Sequence, residues 1–167
     1  NIYGFVRFAD EIVDSFHDYD KKELLNRFEN DLVHALDYKI SLNPILNSFQ
    51  YTVHENNIQQ ELIDAFLNSM KMDLHKQKYD TREEYQKYIY GSADVVGLMC
   101  LNVFVEGDMN KFHLLKPKAM ALGSAFQKVN FLRDLNADFE LLDRTYFPNL
   151  DMSDFDEKSK ASIIADI

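Results

Sequence analysis

Tryptophan is absent from this chain of 167 residues, and cysteine occurs once, at Cys100. One thiol excludes an internal disulfide framework and a thiolate metal cage, so a reducing compartment is the simpler expectation and Cys100 reads as a buried apolar residue. Glycine and proline are also scarce, at five and three residues. Their scarcity, with Leu, Lys, Glu, Asp, Ala and Phe recurring at three- and four-residue spacings, favours helices and argues against a large parallel sheet. Positive charge is in deficit: Lys and Arg number 18 against 28 Asp and Glu, for a net charge of −10. With no basic cluster to offset that sum, a nucleic-acid partner is excluded. The longest apolar stretch, around Val95 to Val105, contains Asn102 and falls short of the roughly 20 residues that cross a bilayer. No Ser-His-Asp or Cys-His arrangement and no glycine-rich phosphate loop is present. His17, His34, His54, His75 and His113 lack paired metal spacing and read as surface or packing residues.

What is there reads as one all-α domain over residues 1–167, since 46% apolar residues suffice for one sizeable core. A first helix is expected from Ile2 to about His17, a second from Lys22 to about Tyr38, and a short third from Pro44 through Phe49 and His54. A fourth covers Ile58 to about Asp73. Thr81 and Glu84 stand at capping-box spacing before a long helix through Val105 that contains Gly91 and Gly97, where close approach by a neighbour or a ligand is expected. A further helix runs from Pro117 to about Ala137, and an irregular stretch through Arg144, Tyr146 and Pro148 follows. The chain opens at Asn1 without Met and with helical patterning under way, and Ser159 to Ile167 reads as the start of another amphipathic helix. The expectation is a piece of a longer protein, lacking helices at both ends.

Two helices carry the same polar stripe. Tyr3, Arg7, Asp10 and Asp14 fall at i, i+4, i+7 and i+11, on one face of the first helix. In the helix after Pro117, Gln127, Asn130, Asp134 and Asp138 stand at spacings of three, four and four, with Arg133 at the edge. A D-x-x-x-D pair alone is most often a solvated face. Two such stripes with Arg, Gln and Asn in register invite a shared ligand, because carboxylates taken from water need a counter-charge. Asp10 with Asp14, and Asp134 with Asp138, each offer oxygen ligands to one hard cation of the Mg²⁺ kind, completed by substrate phosphates. Arg7 and Arg133 suit the oxygens of a diphosphate.

These residues resemble the squalene/phytoene synthase family. Tyr3-Gly-Phe-Val-Arg7-Phe-Ala-Asp10-Glu-Ile-Val-Asp14 is similar to its first aspartate-rich motif, and Leu122 to Asp138, with Gln127, Asn130, Arg133 and Asp134, is similar to its second. Between them, Met72-Asp73 and Tyr88-Ile-Tyr90-Gly-Ser-Ala93-Asp94-Val-Val96-Gly97 resemble a Met-Asp-Leu stretch and a tyrosine-containing helix; afterwards Arg144-Thr-Tyr146-Phe-Pro148 resembles an Arg-x-Tyr-x-Pro element. The wording is nearer to bacterial phytoene synthases than to eukaryotic squalene synthases. Asp94 departs from the pattern, occupying a position where many members have a small residue, and the interval from Asp138 to Arg144 is a residue longer than in some members.

The resemblance implies an isoprenoid-synthase-type helical bundle around a central cavity. It implies head-to-head condensation of two prenyl diphosphates through a cyclopropyl diphosphate, with geranylgeranyl diphosphate and phytoene, in carotenoid biosynthesis, preferred over farnesyl diphosphate and squalene or dehydrosqualene. Asp10, Asp14, Asn130, Asp134 and Asp138 would hold Mg²⁺, for which Mn²⁺ could substitute, acting on the departing diphosphate. Arg7 and Arg133 would stabilise the same charge, and Tyr3 and Tyr90 would line the pocket with hydroxyls towards diphosphate and rings towards a carbocation. Gln127, Ala93, Val96, Gly97, Arg144 and Tyr146 complete the expected substrate contacts. No nicotinamide is expected for phytoene formation. The expected setting is cytoplasmic, with weak association at a membrane surface as the accompanying hypothesis, and no obligate protein partner follows. Two rival readings are head-to-tail elongation, disfavoured because Asp10-Glu11 and Asp134-Leu135 lack that family's adjacent aspartates, and a non-catalytic relative acting as an assembly or binding module.

Overall fold

A computed structural model describes residues 1–76, 78–142, 146–148 and 156–166, giving only the backbone of residues 136–142, 162 and 166. Among the described residues the regular structure is helical: α1 (Ile2–Asp14), α2 (Lys21–Tyr38), α3 (Pro44–Glu55), α4 (Gln60–Asp73), α5 (Arg82–Ile89), a π-helical turn (Tyr90–Asp94), α6 (Val95–Phe104), α7 (Met109–Leu142) and α8 (Glu157–Asp166). The expected all-α class is what the chain adopts.

Local chemistry sets most of the boundaries. α1 stops at Asp14, short of the expected His17, because Lys21 Nζ folds back on the carbonyls of Val13 and Asp14 at 2.9 and 3.3 Å. Asp20 caps α2 by accepting from the Glu23 amide, and Asn43 caps α3 ahead of Pro44. At α5, Thr81 Oγ1 accepts from the Glu84 amide at 3.2 Å, while the Glu84 carboxylate reaches back to the amides of Asp80 and Thr81, closing the expected capping box. α7 begins at Met109, well before the expected Pro117, because Asp108 Oδ1 accepts from the amides of Asn110 and Lys111. Pro117 therefore sits inside the helix, where it has no amide hydrogen to offer the His113 carbonyl.

The expected single helix from Thr81 to Val105 is instead α5 and α6 joined by the π-turn. Glycines there let backbones meet: a Cβ on Gly91 would lie 2.7 Å from the Ala65 carbonyl oxygen of α4, and one on Gly97 would lie 2.9 Å from that of Ala119 in α7. Two cores result. Phe5, Phe28, Phe49 and Phe66 centre the larger one between α1, α2, α3 and α4, with Val95, Leu98 and Met99 of α6 closing it. Asn102 is wholly buried there, satisfied by the Leu98 carbonyl and the Gln59 amide. The smaller core is aromatic, built from Tyr79, Tyr85, Tyr88, Phe131, Tyr146 and Phe147, with Leu135 and Ile163.

Candidate active site

Where α1 and α7 face one another across α4 and the π-turn, they enclose a cavity of about 790 Å³. α1 contributes Tyr3, Arg7, Asp10 and Asp14; α7 contributes Gln127, Asn130, Arg133 and Asp134. Both polar stripes thus line one space, and Tyr146 joins them. The apolar face of α1 packs on the core, with Phe5, Ala9, Ile12 and Val13 buried, which leaves the polar stripe on the other side, where it borders the cavity facing α7.

The two motif aspartates sit in opposite electrostatic settings. Burial and the charge of Asp14, one turn on, push the Asp10 carboxyl above the ordinary carboxylate range, although Arg7 pulls the other way by pairing with it. Arg7 also grips Glu11. Asp134 is held below that range by Arg133, whose Nε and Nη2 donate to its two oxygens at 2.7 and 2.6 Å.

The back wall is aromatic and carries one buried ionic hydrogen bond. Tyr88 Oη donates to Asp73 Oδ2 at 2.9 Å, and both residues line the cavity. Burial, then the Asp73 charge, pushes the Tyr88 phenol well above its usual value, so it stays protonated. Phe131 and Tyr146 stack with centroids 4.0 Å apart and planes 7° from parallel, and Tyr88 stacks on Tyr146 at 5.5 Å. Phe66, Met70 and Ser92 complete that side.

Several expected residues lie elsewhere. Tyr90, Ala93, Val96 and Gly97 are not among the residues lining the cavity; Tyr90 is on the exposed side, the Ala93 carbonyl packs at Gly123, and Gly97 packs on Ala119. On this helical rod the tyrosine that lines the cavity is Tyr88, because Tyr88 and Ser92 are one turn apart on one face, while Tyr90 lies roughly 200° round the same helix. That i,i+4 relation was the signal available. Asp73, Phe66 and Met70 were missed as wall residues, although Asp73 stood within the quoted Met72-Asp73. The side chain of Asp138, and Arg144 altogether, lie outside the described residues.

The donor set fits a hard cation shared with a ligand rather than caged by protein. Asp10, Asp14, Asn130 and Asp134 offer oxygens alone, and the repulsion between Asp10 and Asp14 is a charge imbalance a cation would relieve. Among the described residues no three His, Cys, Asp or Glu side chains close around one point, so phosphate and water oxygens would have to complete the shell.

The described helices bring carboxylates and arginines of α1 and α7 to one aromatic-backed cavity, which defines an all-helical protein with a polar cleft between facing helices. Comparison with known proteins gives the family. Residues 1–163 match squalene/phytoene synthase, and the chain belongs to that family. It is 31% identical to a chloroplastic phytoene synthase of Daucus carota, over 82% of this chain and 35% of that protein. It is 27% identical to a phytoene synthase of Pseudescherichia vulneris, over 88% of this chain and 49% of the relative. Among solved structures, squalene synthase HpnC from Alicyclobacillus acidocaldarius superposes with a TM-score of 0.73 at 28% identity, covering 88% of this chain and 53% of that one. The chain spans about half or less of the length of these relatives.

Proposed function

We propose that this chain carries the diphosphate-handling half of a head-to-head prenyl synthase, and that its substrate is geranylgeranyl diphosphate, condensed through a cyclopropyl diphosphate to phytoene. The observation that supports this reading best is the meeting of the two acidic stripes, each with its arginine, in one cavity. Phytoene synthases among the curated relatives favour the C20 substrate; the squalene synthase among solved structures makes farnesyl diphosphate the alternative. Retention of the motif aspartates weighs against a purely structural relative.

In this reading Asp10, Asp14, Asn130, Asp134 and Asp138 hold Mg²⁺, which when bound supplies Lewis-acid charge to the departing diphosphate. Arg7 and Arg133 are already poised by Asp10 and Asp134, and their guanidinium groups stabilise the negative charge that grows as the allylic C–O bond breaks. Gln127 orients the same diphosphate from α7. The stacked faces of Phe131 and Tyr146, with Tyr88 behind them, offer π density to the allylic cation and exclude water from it. Tyr88, fixed on Asp73, keeps its proton and presents a defined phenol oxygen to the substrate. The protein acts in the cytoplasm, taking its lipophilic substrates at a membrane surface.

The test is product formation by the intact protein from geranylgeranyl and farnesyl diphosphates with and without Mg²⁺. A Mg²⁺-dependent C40 product, lowered at least about 100-fold in Asp10→Ala and Asp134→Ala, is expected. A C30 product alone would change the substrate, and no head-to-head product from folded protein would overturn the reading.

A further inference from the structure

The π-turn (Tyr90–Asp94) is wedged between α4 and α7. On one side Gly91 meets α4, where an added Cβ would lie 2.7 Å from the Ala65 carbonyl oxygen. On the other, α7 meets the turn at Gly123, where a Cβ would lie 2.9 Å from the Ala93 carbonyl oxygen and 3.3 Å from Asp94 Cα. Ser92, between these contacts, lines the cavity of the two polar stripes. Glycine contacts bring backbones close but fix no direction. A directional bond joins the turn to α7 at the same place: Ser124 Oγ donates to Asp94 Oδ1 at 2.7 Å.

Asp94 is the residue at which this chain departs from the family pattern of a small side chain, and it is buried. A carboxylate taken from water costs stability that a small residue would keep. Burial pushes the Asp94 carboxyl up, while the bond from Ser124 and the charge of Lys128, one turn along α7, pull it down. What the bond supplies is seen by following α7 beyond it. From Ser124 the helix reaches Gln127, Asn130 and Asp134 after three, six and ten residues, and all three line the cavity with Asp10 and Asp14 of α1. At about 100° per residue they stand roughly a quarter-turn round α7 from Ser124. A roll of α7 about its own axis would therefore carry the stripe sideways past α1. Phe131, seven residues from Ser124 and on nearly the same face, stacks on Tyr146 in the aromatic wall. Stacked rings tolerate a small roll, whereas a short hydrogen bond weakens steeply with angle.

We propose that Asp94 is a positioning residue for the cavity: by accepting from Ser124 it fixes the roll of α7, and with it the placement of Gln127, Asn130 and Asp134 opposite Asp10 and Asp14. The cavity is then set for a diphosphate and its cations before either arrives, which rests on the diphosphate reading given above. Asp94 touches no substrate in this account; it acts through α7.

The experiment compares Asp94→Ala, Ser124→Ala, the double variant and Asp94→Asn in the intact protein, by two readouts. Hydrogen exchange without ligand should quicken in both single Ala variants at the α7 amides of residues 125–135 and stay unchanged in α1, α2 and α3. Calorimetric titration with inorganic pyrophosphate in Mg²⁺ should show each single variant weakened at least about fivefold, within the coupling of groups that share a hydrogen bond. The double variant should be no weaker than either single one, and Asp94→Asn, which keeps an oxygen for Ser124, should stay within about twofold of the unaltered protein. Additive losses, Asn no better than Ala at position 94, unchanged exchange in α7, or a lower thermal midpoint with full pyrophosphate affinity would overturn this inference alone. No pyrophosphate binding by the unaltered protein would overturn the diphosphate reading and this inference with it.

Discussion

At the scale of single residues, the cavity stores opposed charges whose removal has opposite effects. The native state holds the Asp10 proton more tightly than the unfolded chain does, so its stabilising influence is complete below the unfolded pKa of about 3.9 and is lost as pH rises through the raised folded value. Asp10→Asn should therefore raise the melting temperature at pH 7, with the gain vanishing as the pH is brought into the ordinary carboxylate range. Asp134 is shifted the other way, so its contribution is present above the unfolded pKa and lost as pH falls through the lowered folded one. Asp134→Asn should lower the neutral-pH melting temperature slightly, because a half-exposed pair of this kind is worth about 0–1 kcal/mol. Tyr88→Phe removes a buried donor to a carboxylate and should cost about 1–3 kcal/mol, seen as a fall of several degrees in a thermal melt followed by circular dichroism.

At the scale of elements, helix crossings depend on glycine. The Cβ of Gly91→Ala would meet the Ala65 carbonyl oxygen at 2.7 Å and Ser69 Cβ at 2.9 Å, neither of them the far end of a flexible side chain. The variant should lose about 1–3 kcal/mol, measured as a lower urea midpoint. Which segments are helical was legible in the sequence, because caps such as Asp20, Asn43 and Thr81 act within one turn of their own position. The start of α7 was not: Asp108 supplies a competent cap, and Pro117, a good first-turn residue by itself, is tolerated inside a helix that long-range packing supports. The π-turn was not legible either, since it answers to the fit of Gly91 against α4 and of Ala93 against Gly123, contacts between segments far apart in the chain.

At the scale of the whole molecule, the face-to-face meeting of the two stripes could be anticipated because each sets carboxylates beside an arginine at helical spacing, a pattern that invites one shared ligand. The aromatic wall behind the cavity could not, since Tyr85, Tyr88, Phe131, Tyr146 and Phe147 build it from three separate stretches. No helix among the described residues is long and apolar enough to cross a membrane. With a net charge of −10, surface association should be seen in flotation with neutral liposomes and be weaker with anionic ones, and failure to float with either would remove the membrane from the proposed function.

The rod running from Arg82 to Phe104 serves two interiors in turn. Tyr85, Tyr88 and Ile89 belong to the aromatic core, Val95, Leu98 and Met99 to the aliphatic one, and the change of allegiance falls at Tyr90–Asp94. A π-turn holds one residue more than the α-turn it replaces, a phase shift of about 100°. It behaves as a one-residue insertion absorbed without a loop: forcing all of its residues into an even α-helix would swing one half of the rod a quarter-turn out of its socket, whereas deleting one residue within it would leave both halves seated.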